Sequence, residues 1–158
     1  MKTKKSWREK LDDSKDLPRV QAIPKRMNAT WGVGTLVIPA PREVDEIMRR
    51  VPKRKVTTVN HIRTALARKH RATIACPMTT GIFAWIAAHA AEEQLAAKPN
   101  ARATPYWRTL KSGGVLNDKY PGGAEQQKQR LEAEGHTIIA KGKHLVVSDI
   151  DESLFDCG

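Results

Sequence analysis

The sequence predicts an α+β domain, mostly helical, built as a winged helix-turn-helix with a small N-terminal extension. Three observations predict it. Two stretches with apolar residues at helical spacing, residues 59–69 and 77–97, meet at a short basic turn, as in a helix-turn-helix. A polar helix closing on Gly135 is then followed by two short apolar strands joined through Lys141-Gly142-Lys143, a hairpin with a basic tip. Finally, 28 Lys and Arg stand against 17 Asp and Glu, a formal charge of +11 that favours a polyanionic partner.

The elements follow in order. Residues 1–27 alternate in charge and read as a basic arm, with at most a short helix over 7–11. Residues 31–39 read as a strand entered through Gly32 and Gly34 and stopped by Pro39. Pro41 suits the first turn of a helix with Glu43, Asp45 and Glu46 near its positive end, and Val44, Ile47, Met48 and Val51 form its apolar face. Pro52 ends it. Thr57 or Thr58 caps a helix whose inner face is Val59, Ile62, Ala65 and Leu66, and whose outer face holds Arg63, Arg68 and Lys69. Cys76 and Pro77 open the next helix, where Ile82, Trp85, Ile86 and His89 recur at helical spacing and Trp85 reads as core. A linker over 98–104, a glycine-rich loop, a helix over 124–134 and strands over 136–140 and 144–147 complete a domain of residues 28–150. Residues 151–158 are an acidic tail in which Cys157 reads as frayed.

Composition excludes several classes. No apolar run approaches the roughly 18 residues of a membrane span, and the basic N-terminus has no apolar stretch behind it to make a secretory signal. Two distant cysteines argue against a disulfide scaffold and for a cytoplasmic location. The five histidines show no ligand spacing with the cysteines, so neither a zinc site nor another cofactor is expected. Charge is unevenly spread: from Arg42 to Arg71, ten basic residues face three acids.

The stretch Pro105-Tyr106-Trp107-Arg108-Thr109-Leu110 is followed by Gly113-Gly114, Tyr120-Pro121-Gly122-Gly123 and a helix ending Leu131-Glu132-Ala133-Glu134-Gly135. This ordered series resembles the active-site segment of the O6-alkylguanine-DNA alkyltransferases, where Pro-Cys-His-Arg-Val precedes a glycine-rich loop and a helix closing on Leu-x-x-Glu-Gly. Val51-Pro52-Lys53 through Val56-Thr57-Thr58-Val59-Asn60-His61-Ile62 resembles that family's Ile-Pro-x-Gly-x-Val-Thr-Thr-Tyr-Gly-x-Ile-Ala. Pro77-Met78-Thr79-Thr80-Gly81 falls where its recognition helix opens. The likeness spans about residues 40–147 and implies the family's C-terminal DNA-binding domain, with duplex DNA approached through the minor groove.

The departures define the expected function. The resemblance places Tyr106 at the alkyl-accepting cysteine and Trp107 at the activating histidine. A phenol with a pKa near 10 and an indole that only donates supply neither the thiolate nor the base. Val59 and Met78 fall where the family has a phosphate-rotating tyrosine and a base-replacing arginine. The chain therefore resembles the cysteine-less alkyltransferase-like proteins, which bind alkylated guanine and flag it for repair partners. The resemblance implies a non-enzymatic DNA-binding protein with no catalytic residues, and a repair protein as a further partner.

Pro105, Tyr106, Trp107 and Arg108 would form the pocket. Tyr106 either stacks on a base or plugs the old active site. Thr58, Arg63, Arg68, Lys69, Met78, Thr79, Thr80, Gly81, Lys141 and Lys143 are the DNA-binding candidates: the basic residues for phosphates, Met78 as an apolar wedge, and Thr79 and Thr80 as groove contacts or helix caps. Two other readings stay open. One is a transferase using Cys76, which sits at a helix N-terminus, or another enzyme in the remodelled pocket. The other is a protein-interaction module or a general DNA-binding protein.

Overall fold

The structure is a computed structural model and describes residues 4–158. The first helix, α1 (Trp7–Asp12), is held by a capping box in which Ser6 and Glu9 satisfy each other's backbone N–H groups. The strand β1 (Arg19–Ala22) follows, then a 3-10 turn (Lys25–Met27), a single helical turn α2 (Asn28–Trp31) and β2 (Thr35–Ile38). The strand expected over 31–39 is thus shorter at its start. Asn28–Trp31 forms a helical turn, and Gly32 follows it at φ +84°, outside the extended region. β1 lies antiparallel on β2, with Arg19 opposite Ile38 and Ala22 opposite Thr35.

Helix α3 (Pro41–Arg50) starts on Pro41, and the Glu43 carboxylate accepts the Ala40 N–H at 3.0 Å. A two-residue strand β3 (Thr57–Thr58) runs into α4 (Val59–Lys69), whose N-cap is Thr58, accepting the His61 N–H. Then β4 (Ile74–Ala75) joins β2 in parallel, so the sheet order is β1-β2-β4. Pro77 opens the long α5 (Pro77–Ala97). After a 3-10 turn at Tyr106–Arg108, β5 (Thr109–Leu110) pairs in parallel with β3 and ties the central motif to the start of α4. Helix α6 (Gly123–Ala133) ends on Gly135 at φ +94°, the left-handed residue expected of its cap. Strands β6 (Ile138–Lys141) and β7 (His144–Val147) form the hairpin, and α7 (Ile150–Ser153) leads into the C-terminal residues.

Helices α1, α3, α4 and α5 enclose the main core, where Val44, Met48, Ile62 and Leu66 are fully buried. Each such side chain contributes about 1.5–3 kcal/mol. A smaller core of Val56, Leu110, Leu116, Leu131 and Val147 lies under the hairpin, and Trp107 packs against both.

Three expectations are corrected. The arm of residues 1–27 is, from residue 5 onward, part of the domain: α1 packs on α5, and β1 extends the sheet. Its charges had hidden the buried Leu11 and Ile23. The tail is docked rather than frayed, since Phe155 N–H bonds Val56 O and buried Cys157 meets Thr57 Oγ1 at 3.0 Å. Helix α5 turns a different face inward than its large residues suggest. Thr80, Ala84, Ala87, Ala88 and Ala91 are buried, while Ile82 is 49% exposed and Trp85 only half-buried. Small side chains let α3 and α4 approach closely, and the bulkier stripe is left at the surface.

Candidate nucleic-acid interface

The central motif is built inward. Tyr106 is 1% exposed, and its hydroxyl donates to Glu92 Oε1 at 2.6 Å. Arg130 donates to the same oxygen at 2.6 Å. Trp107 and Tyr120 meet the Tyr106 ring edge to face, with centroids 5.4 and 5.3 Å away. Burial first, then the hydrogen bond and charge of Glu92, push the phenol further up from its ordinary value, so it stays neutral. Trp107 Nε1 donates to Glu134 Oε2 at 3.2 Å, and Arg108 grips both Glu134 oxygens at 2.9 and 2.7 Å. A third bond runs from Arg108 Nη1 to Val51 O at 2.8 Å. Burial alone would raise the Glu134 carboxyl, but the bonds from Arg108 and Trp107 outweigh it and hold the group below its usual range. Pro105 is buried too. Of the two readings of Tyr106, this geometry supports the plug: no face of the ring is open to a base.

The opening lies next to it, at the first turns of α5. Met78 is 67% exposed and, with Ile82 and Trp85, forms a stripe at i, i+4 and i+7. Asn117 and Lys119 close the other side of a cleft of about 420 Å³, and Trp85 Nε1 donates to Lys119 O at 3.1 Å. Gly81 forms part of the floor, where a Cβ would meet nothing within 4 Å. Thr80 is turned away, fully buried and donating to Cys76 O at 2.6 Å. The Thr79 hydroxyl is buried, with no hydrogen-bond partner among the described residues. Ile82, Trp85, Asn117 and Lys119 were not among the candidates. Helical spacing from Met78 points to the first two, but nothing local marks the loop, which is fixed by Asn117 N–H donating to Gln127 Oε1 at 2.7 Å.

The basic candidates divide. Arg63, Arg68 and Arg71 line a groove of about 610 Å³ together with Asn60, Thr64 and Thr73, and among the described residues no carboxylate side chain lines it. Arg63 is braced by Ala75 O at 3.0 Å and Asn60 Oδ1 at 3.3 Å. Asn60 also donates to Ser112 Oγ at 3.0 Å, linking α4 to the glycine-rich loop. Arg68 donates to Gly158 O at 3.0 Å. Lys69 instead pairs with Glu43 at 2.7 Å, on the α3 side. Thr58 is buried and occupied by its cap and by His61 Nδ1 at 2.6 Å. Lys141 and Lys143 are exposed at the hairpin tip, and the hairpin is anchored by Leu116 N–H donating to Leu145 O. Cys76 is 7% exposed and packs with Ile23 and Leu36, and among the described residues no histidine or carboxylate bonds its sulfur. Burial pushes the Cys157 thiol up, against the opposing bond from Thr57. Among the described residues no group of His, Cys, Asp and Glu is arranged to hold a metal ion, and no helix is long and apolar enough to cross a membrane.

No protein-family model matches the chain, and no curated protein matches it. Among solved structures, it is similar to the crystal structure of S. pombe Atl1 in complex with damaged DNA containing O6-carboxymethylguanine. The match has 22% identity and a TM-score of 0.50, and it covers 73% of this chain and 93% of that chain. At that identity the likeness speaks for the fold, and it bears out the α+β, mostly helical class expected from the sequence.

Proposed function

We propose that this chain is a non-enzymatic, cytoplasmic DNA-binding protein that senses duplexes carrying a modified guanine. The observation that carries the reading is the contrast between the sealed motif and its open surroundings. Tyr106 stands where the family it resembles has its nucleophile, and its hydroxyl is committed to Glu92 in the core. Beside it, the Met78, Ile82 and Trp85 stripe with Asn117 and Lys119 leaves a cleft of about 420 Å³, within the range of about 300–1,000 Å³ common for small-molecule sites. An exposed methionine fits an apolar wedge against a base step, and the cleft offers an aromatic edge and polar loop groups to a displaced base. Arg63, Arg68 and Arg71, in a groove that no carboxylate side chain lines among the described residues, suit the phosphates. The shared fold with a protein crystallised on damaged DNA supports the same reading.

The test is a titration of plain duplex and of the same duplex with one O6-alkylated guanine, at several salt concentrations, followed by intact mass of the protein. Tighter binding to the modified duplex, steep salt dependence and an unchanged mass are expected. Equal affinity for both duplexes would remove the sensing role and leave general DNA binding. A mass gain of one alkyl group would replace the reading with a transferase.

A further inference from the structure

We propose that residues 25–33, which precede the helix-turn-helix, form a second lip of the DNA-binding groove and hold phosphates through Lys25 and Arg26. This rests on the DNA-binding reading above and extends it to a segment that the sequence alone assigned to an arm and a strand. Three observations place the segment. Met27 and Trp31 turn inward against a small core of Ile23, Leu36 and Cys76, so the segment packs on the residue that opens α5. Its end abuts the turn between α4 and β4. Thr35 N–H donates to Thr73 Oγ1 at 3.0 Å, Thr73 N–H returns to Thr35 O at 3.1 Å, and a Cβ on Gly34 would fall 2.2 Å from Thr73 Oγ1. Thr73 and Ile74 also line the groove of Arg63, Arg68 and Arg71, so the lip and the groove share a wall.

Charge says what fits there. With Met27 and Trp31 facing in, Lys25 and Arg26 are left exposed, and among the described residues neither forms an ion pair or a side-chain hydrogen bond. Several basic side chains elsewhere are compensated: Arg42 and Arg49 by Asp45, Lys69 by Glu43, Arg108 by Glu134 and Arg130 by Glu92. Arg63, Arg68 and Arg71 around the α4–β4 turn form no ion pair with a carboxylate among the described residues, and Arg71 holds φ +53°, an uncommon backbone for a non-glycine residue. Val33 stands 81% exposed between Gly32 and Gly34, an apolar tip beside this charge. Unpaired cations continuing a groove are the arrangement that a phosphate backbone fills.

The experiment compares the unaltered protein with K25A/R26A on plain duplex across a salt series. A control, K98A/R102A, removes the same charge from exposed positions at and just beyond the other end of α5. Loss of phosphate contacts lowers the slope of log affinity against log salt by about one per residue. K25A/R26A should therefore lower it by about two and weaken binding to plain and modified duplex alike, while the control changes little. Thermal melts of all three proteins should coincide, since these side chains are exposed. If K25A/R26A keeps the parent slope, or if the control loses as much, the lip plays no part and DNA binding itself stands. If the unaltered protein binds no duplex, both readings fall together.

Discussion

Glu134 carries more of the central motif than any residue inside it. It receives both prongs of Arg108 and the Trp107 indole N–H, at 8% side-chain exposure. Removing one partner of such a pair leaves a buried cation, at a cost of about 3–5 kcal/mol when the burial is complete. Glu134→Gln keeps the shape and should cost about 2–3 kcal/mol at pH 7, read as a shift in urea midpoint with unchanged slope. Its folded carboxyl is held below the usual range, as is that of Glu43, where burial is outweighed by Lys69, the Ala40 N–H and His70. The stability each contributes is complete above the unfolded value of about 4.3 and is lost as pH falls through the folded value. The gap between parent and E134Q should accordingly narrow in acid. A gap of constant size from pH 7 to pH 3 would show that charge pairing is not what Glu134 supplies. Pro105, Arg108 and Glu134 were legible in the sequence as a motif. Their pairing was not, because it joins positions 26 apart through a fold that no local pattern encodes.

Helix α5 shows what periodicity can and cannot say. Its extent, 77–97, and its opening on Cys76 and Pro77 were legible, as were the start of α3 on Pro41 and the cap at Thr58. Its orientation was not. Apolar residues occur on every side, so size misled: Ile82 and Trp85 read as the inner face, while alanines occupy it. The true inner face is close-packed, and an isobutyl side chain in place of a methyl there has no room. Ala88→Leu should lose about 1–3 kcal/mol. Ile82→Glu, on the open stripe, should stay within about 0.5 kcal/mol of the parent and yet weaken DNA binding, through like charge facing phosphate. Chemical melts and duplex titration separate the two effects. An Ile82→Glu protein that binds DNA as tightly as its parent would take the cleft out of the interface.

At the scale of the whole molecule, the ends of the chain proved hardest to read, because what fastens them lies far away in sequence. Leu11 and the pairing of β1 could not be seen through a segment in which nearly every second residue is charged. One fastening of α1 is Glu93 in α5. Its two carboxylate oxygens accept the N–H groups of Trp7 and Arg8 at 3.1 and 3.2 Å, supplying acceptors and negative charge to the first turn of α1. Trp7 then stacks on His89 at 4.3 Å and meets Trp85 edge to face at 4.8 Å, covering the far end of the stripe that Met78 and Ile82 leave open. Burial lowers the His89 imidazole, so its neutral form belongs to the docked state and docking weakens as pH falls below the unfolded value of about 6.5. Glu93→Ala removes an N-terminal cap, a change worth about 0.5–2 kcal/mol. If α1 is held through this carboxylate, amide exchange over residues 7–12 should quicken in the variant while the amides of α4 keep their protection. Equal exchange in both proteins would mean that the aromatic stack and buried Leu11 hold α1 without this carboxylate, and acidification to pH 5.5 would then loosen the variant and its parent to the same degree.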